Sequence, residues 1–202
     1  MTELTTRGQE TRDAILFSAR QELMRSGILG LRVAEVADGA NTSVTSIYRL
    51  FGDRDGLLAQ VLGDIMHEMV EGTVEHFRRA IRNREAMTLE DLALAIPLRY
   101  AFQNFNHKFR LQILAAATEN LALEQRLRSI FAHRYDLWKE ALAEARLRMA
   151  PGEDFDERVF FGFLFDLTPY ASNYLGSQRM SLAEFTTLIA DKLRANPQSR
   201  QS

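Results

Sequence analysis

Ala34–Phe51, AEVADGANTSVTSIYRLF, constrains the fold more than any other stretch of the chain. Two short helical patterns lie either side of a tight break. Val33, Val36 and Ala37 carry the apolar side of the first, and Val44, Ile47 and Phe51 that of the second. This spacing predicts helices over Val33–Gly39 and Ser43–Leu50, with Gly39–Thr42 as the turn. Asn41 suits a left-handed turn position, and Thr42 or Ser43 can cap the following helix. The second helix begins with small hydroxyl residues and ends in Tyr48, Arg49 and Phe51. A helix-turn-helix reads this way, its second helix shaped for a DNA major groove. On spacing alone, a plain helical hairpin whose hydroxyls only cap and solvate fits equally well.

The rest of the chain extends the helical pattern. Ile15, Ala19 and Leu23 place one stripe on a helix over Thr11–Arg25, which Gly27 and Gly30 break. A small three-helix core is expected from Ile15, Ala19, Leu23, Val33, Val36, Ala37, Ala40, Ile47 and Phe51. Asp53 is placed to cap a long connecting helix with the stripe Leu57, Leu58, Val61, Leu62, Ile65, Met66, Met69 and Val70, broken or bent near Gly72. Arg82–Glu85 reads as a turn. Thr88 caps a helix towards Asn104 that Pro97 must kink or interrupt. Further helices are expected over Lys108–Ala117, Leu121–Met149, Asp154–Leu175 capped by Asp154, and Leu182–Leu193 behind a Ser181–Glu184 capping box. The chain reads as all-α with about nine helices: a DNA-binding domain over 1–52 and a helical ligand-binding and dimerisation domain over 53–202.

Composition excludes more than it assigns. With 202 residues, 46% apolar and 26% charged, the chain has an ordinary globular make-up. It has no cysteine, so disulfides, thiolate metal sites and cysteine nucleophiles are excluded. No apolar run is long enough to span a bilayer and the polar first ten residues do not resemble a secretory signal, so a cytoplasmic location without membrane association is expected. The net charge is −2, unlike that of a protein that coats DNA. Residues 1–66 hold seven arginines, no lysine and nine acidic residues. DNA contacts must therefore be local, made by arginines such as Arg7, Arg12, Arg32, Arg49 and Arg54 together with hydroxyls and helix N-termini.

Catalytic signatures are missing: there is no phosphate-cradling glycine loop, no HExxH and no GxSxG. The four histidines, 67, 76, 107 and 133, show no metal-ligand spacing. Glu68, Glu71 and Glu75 beside His67 and His76 fit neither a di-iron pattern nor one helix face. No enzyme activity, metal or cofactor is expected. A small all-helical enzyme or binding protein without operator binding is the alternative.

The pattern around the break resembles the TetR family of one-component regulators. The residues that carry the resemblance are Gly27, Val36, Ala37, Ala40, Ser43, Ile47, Tyr48, Phe51, Arg54, Asp55, Leu57 and Leu58, within about residues 11–66. Arg32 stands where the family usually has a capping threonine, Asn41 replaces the usual turn glycine, and Arg54 replaces a common lysine. The resemblance implies a regulator that binds a palindromic operator as a homodimer, most simply a repressor released by a small ligand. It implies DNA contacts from Thr42, Ser43, Thr45, Tyr48, Arg49 and Arg54, with Arg32 a further candidate that it neither requires nor forbids, and a dimer interface built from the last two helices, here Phe160, Phe163, Leu167, Phe185, Leu188 and Ile189. Met1–Arg12 forms either an arm on DNA or a plain tail.

A sensing pocket is expected among the helices of Thr88–Leu175. Polar groups in apolar runs single out Arg99 and Asp166, which either pair, anchor a charged ligand or face solvent. Phe102, His107, Tyr135, Trp138 and Tyr170 are the other lining candidates. So many aromatics beside so few charges point to an apolar or aromatic effector.

Overall fold

Helix after helix follows the apolar periodicity. A computed structural model describes residues 6–96, 105–161 and 182–194. Among these residues lie nine helices and no strand: α1 Thr6–Gly30, α2 Val33–Gly39, α3 Val44–Phe51, α4 Arg54–Ile81, α5 Leu89–Ala95, α6 Phe105–Ala117, α7 Leu121–Arg146, α8 Glu157–Phe161 and α9 Leu182–Leu193. None is long and apolar enough to cross a membrane.

The described helices sort into two compact units, one formed by residues up to Met69 with Lys108–His133, the other by Val70–His107 with residues from Arg134 onward. Both α4 and α7 therefore run through both units. In the first, Ile15, Ala19, Leu23, Val33, Val36, Ala37 and Ile47 are buried as the periodicity requires. Ala40 and Phe51, expected in that core, are only half-buried. The helix carrying Ile15 starts earlier than Thr11 and reaches Gly30, with Gly27 at φ 73° marking a kink inside it.

The second unit is built around Trp138, Phe77, Phe155 and Phe160, with Ile81, Leu92, Leu142, Ile189 and Leu193 among the aliphatic residues of the same core. Trp138 and Phe160 have ring centroids 5.6 Å apart, and Phe77 lies 5.1 Å from Trp138. In this unit α9 packs on α5 and α8.

Three boundary expectations are corrected. The expected break near Gly72 does not occur: α4 is continuous to Ile81. A glycine in a helix interior costs about 1 kcal/mol, which burial of Val70, Val74, Phe77 and Ile81 outweighs. The interruption expected of Pro97 occurs: helix α5 stops at Ala95, with Ile96 already extended, because proline disfavours a helical conformation at the residue before it. Helix α7 ends at Arg146 rather than Met149 because Met149 pairs with Met87, whose N–H donates to Arg148 O at 2.8 Å. Asp154 does not cap α8. Its carboxylate accepts from Phe155 N at 2.9 Å and from Arg146 Nε at 3.1 Å. Asp156 starts the helix, accepting from Arg158 N at 2.9 Å.

Candidate nucleic-acid interface

The break between α2 and α3 is closed by its own backbone. Asn41 sits at φ 48°, as its tolerance for the left-handed region allows. The N–H groups of Ala40, Asn41 and Thr42 donate to Val36, Asp38 and Ala37 carbonyls at 3.0, 3.1 and 3.0 Å. Ser43 caps α3: its hydroxyl accepts from Ser46 N at 3.1 Å and lies 3.0 Å from the Ser46 hydroxyl. Gly52, at φ 85°, closes the other end by donating to Tyr48 O at 2.8 Å.

Helix α3 has two unlike sides. Ile47 is fully buried. Ser43, Thr45, Tyr48 and Arg49 are exposed, with Tyr48 at 43%, and Thr42 is half-buried beside them. Arg32, the residue before α2, is exposed and makes no side-chain cap. The geometry thus gathers Thr42, Ser43, Thr45, Tyr48 and Arg49 on one short helix and its cap.

Ion pairing sorts the arginines of this end. Arg20 grips Glu68 through two bonds of 2.6 and 3.0 Å. Arg25 pairs with Glu22 at 2.6 Å and reaches Glu35 at 3.6 Å. The Arg12 guanidinium stands 5.6 Å over the Phe51 ring. Arg7 and Arg49 form no ion pair among the described residues. Several carboxylates are likewise spent locally: Asp53 accepts from Gly56 N at 2.7 Å as the expected cap of α4, and Asp64 pairs with Arg126. An acidic sequence therefore leaves Arg49 available on the outer face of α3.

Arg54 is placed differently from the other candidates. Its Nε and one terminal nitrogen donate to the carbonyls of Leu31 at 3.3 Å and Ile28 at 3.1 Å. The guanidinium fork ties the start of α4 to the connection ahead of α2, a use that one lysine ammonium does not reproduce. From the other side, Asn120 donates to Asp55 O at 2.9 Å while its carbonyl caps α7 by accepting from Leu123 N at 2.9 Å. Neither tie is visible in the sequence, because the partners of Arg54 and Asn120 lie 26 and 65 residues away.

Residues 15–61 match the family model for bacterial regulatory proteins of the tetR family. That segment is thus similar to the DNA-binding part of the tetR family. The chain is a DNA-binding transcriptional regulator, and the matched segment runs from α1 through the first turns of α4. Solved TetR-type structures share its fold. A TetR-family transcriptional regulator from Rhodococcus sp. is 22% identical with a TM-score of 0.58, the match covering 93% of this chain and all of that one. The multidrug-binding protein EbrR, complexed with imidazole, is 21% identical with a TM-score of 0.61 and 96% of each chain covered. A TetR-family regulator from Mesorhizobium loti is 19% identical with a TM-score of 0.52, covering 94% of this chain and 96% of that one. No curated protein sequence matches the chain.

The residues expected at the effector pocket and dimer interface divide three ways. Arg99, Phe102, Phe163, Asp166, Leu167 and Tyr170 lie outside the described residues, as do the side chains of His107 and Phe185. Phe160 and Ile189 are fully buried in the second unit's own core, and Leu188 is 39% exposed. Tyr135 is an exposed residue stacked on Phe161 at 4.6 Å. Trp138 is fully buried, and its indole N–H has no hydrogen-bond partner among the described residues. No cluster of three or more potential metal ligands occurs among the described residues.

Proposed function

We propose that this regulator is a homodimeric repressor that leaves a palindromic operator when a small, largely apolar effector binds. The observation that carries the DNA half is the outer face of α3, where Ser43, Thr45, Tyr48 and Arg49 stand exposed around a buried Ile47. Thr42, Thr45 and Arg49 read base edges, and Tyr48 and the α3 N-terminus hold phosphates. Arg32 adds a phosphate contact. Arg54 acts mainly as a positioning residue, since its donors already serve Ile28 and Leu31. One such unit reads only a half-site, so a two-fold dimer supplies the second, with Leu188 the described residue proposed for its interface.

The effector half is supported by Trp138. A buried indole N–H without an acceptor costs about 1–3 kcal/mol, and an effector carrying one acceptor on an apolar body would satisfy it. Among fold relatives, EbrR is a multidrug-binding protein, a precedent for a small-molecule effector. Release requires that the effector bind the DNA-free state more tightly, with α4, continuous from Arg54 to Ile81, carrying the change.

A labelled palindrome from the upstream region of the protein's own gene tests the DNA half. The wild type should retard it in a gel, and Arg49→Ala and Tyr48→Ala should weaken that shift. An unchanged shift in both variants rules out α3 as the recognition helix.

A further inference from the structure

Helices α4 and α7 approach closely in the first unit. A Cβ on Gly63 would collide with the Arg126 side chain, and Arg126 pairs with Asp64 beside it. One turn further along α4, His67 meets the same partner helix. Its ring centroid lies 5.8 Å from that of His133 on α7, with the two planes 30° apart. Both histidines belong to this unit. Far apart in the chain, they show no metal-ligand spacing in the sequence.

Packing gives a poor account of the pair. His67 is half-buried and His133 exposed, so the contact covers little apolar surface. The carboxylates either side of His67 on α4 are engaged elsewhere: Asp64 with Arg126 and Gln60, Glu68 with Arg20. The groups that face one another across the two helices are therefore the imidazoles themselves.

Their separation fits a shared ion. A metal about 2.1 Å from an imidazole nitrogen lies about 3.2 Å from the ring centre, so two rings on one ion have centres about 5–6.4 Å apart. The observed 5.8 Å falls within that range. The χ2 torsion of histidine is broad, so each ring can turn one nitrogen towards a common point without moving either helix. The second nitrogen of each ring is left for a hydrogen bond that fixes its orientation.

We propose that His67 and His133 chelate a late first-row divalent cation, Cu²⁺, Ni²⁺ or Zn²⁺, with water in its remaining positions. Imidazole suits these ions, whereas Mg²⁺ and Ca²⁺ take oxygen ligands. With two protein ligands the site exchanges its ion, unlike a closed structural site of four. The bound ion links α4 to α7 beside the Asp64–Arg126 pair, in a different unit from the core around Trp138.

Calorimetric titration of the full-length, untagged protein with Cu²⁺, Ni²⁺, Zn²⁺ and Mg²⁺ tests the proposal. Cu²⁺ should bind most tightly and Mg²⁺ should not bind. His67→Gln and His133→Gln should each weaken Ni²⁺ binding by about tenfold or more, since even outer-shell changes cost about 10–100-fold. The double variant should bind no more weakly than the weaker single one, as one chelate requires. His76→Gln should bind as the wild type does. His133 is exposed, so its replacement keeps the test sound if His67→Gln fails to fold. Absence of Ni²⁺ and Zn²⁺ binding, Ni²⁺ affinity unaltered in His133→Gln, or losses that simply add in the double variant overturns the proposal.

Discussion

Ser18 and Gly39 are shaped around one another. The Ser18 hydroxyl donates to Val36 O at 2.9 Å, and in that position it fills the space in which a Cβ on Gly39 would collide with it. This contact sets how closely α2 lies on α1. Gly39→Ala should therefore destabilise the protein by about 1–3 kcal/mol, the usual cost of overpacking. The double variant Ser18→Ala/Gly39→Ala should recover part of that loss, because removing the hydroxyl clears the space. Urea unfolding of the two single variants and the double variant measures the coupling; simply additive losses would show that the clash is not the cause.

Arg54 and Arg49 should differ in how their loss responds to salt. Arg49→Ala removes an unpaired charge from the outer face of α3, so the slope of log K against log salt should fall by about one. Arg54→Ala instead frees the Ile28 and Leu31 carbonyls. It should lower stability by about 1 kcal/mol and weaken DNA binding while leaving that slope nearly unchanged. Operator titrations across a salt series, beside denaturant curves, separate the two. A slope reduced equally by both substitutions would make Arg54 a direct phosphate contact.

Asp91 supplies an acid-sensitive part of the stability. The Thr88 backbone N–H, with the Thr88 hydroxyl and Arg84, holds its carboxyl below the usual carboxylate range, despite an opposing effect of burial. Because the folded pKa is depressed, the contribution is present above the unfolded value of about 3.9 and is lost as pH falls through the folded one. Asp91→Asn should thus be less stable than wild type at pH 7, and the gap should close below about pH 4. Urea midpoints at pH 7 and pH 3 check the sign.

Trp138 carries a cost that phenylalanine does not. Trp138→Phe removes volume from the core but also removes the unsatisfied N–H. Its net effect should be about 1 kcal/mol or less, far below the roughly 3–5 kcal/mol of truncation to alanine. In a thermal-shift panel, compounds that use the indole as a donor should raise the Tm of the wild type and not of Trp138→Phe. A large stability loss in Trp138→Phe would mean that the indole is held by more than packing.

What was legible in the sequence was local. Asn41 at the turn, Ser43 as the α3 cap, Asp53 at the start of α4 and Thr88 at the start of α5 all act on backbone within three residues of themselves. Their chemistry can be read from neighbours alone. Features decided by distant partners were not legible. Nothing near Arg54 announces the Ile28 and Leu31 carbonyls, and nothing near Asp154 announces Arg146. Phe160 shows the limit of periodicity: an apolar pattern marks a residue as buried but not against what, and here it packs on Trp138 and Phe77 of its own chain. The same holds for Gly72, where the propensity cost was visible and the burial that outweighs it was not.

The division of α4 and α7 between two packing units has a consequence for recombining this regulator with its relatives. A splice at residue 52 would part Arg54 from Ile28 and Leu31, and would leave the donor's recognition helix on the recipient's α4. A splice at Met69 would keep that tie but separate Asp64 from Arg126 and Asp55 from Asn120. Transplanted specificity should survive best when Lys108–His133 travels with the N-terminal segment as one cassette, so that a two-part exchange outperforms any single crossover.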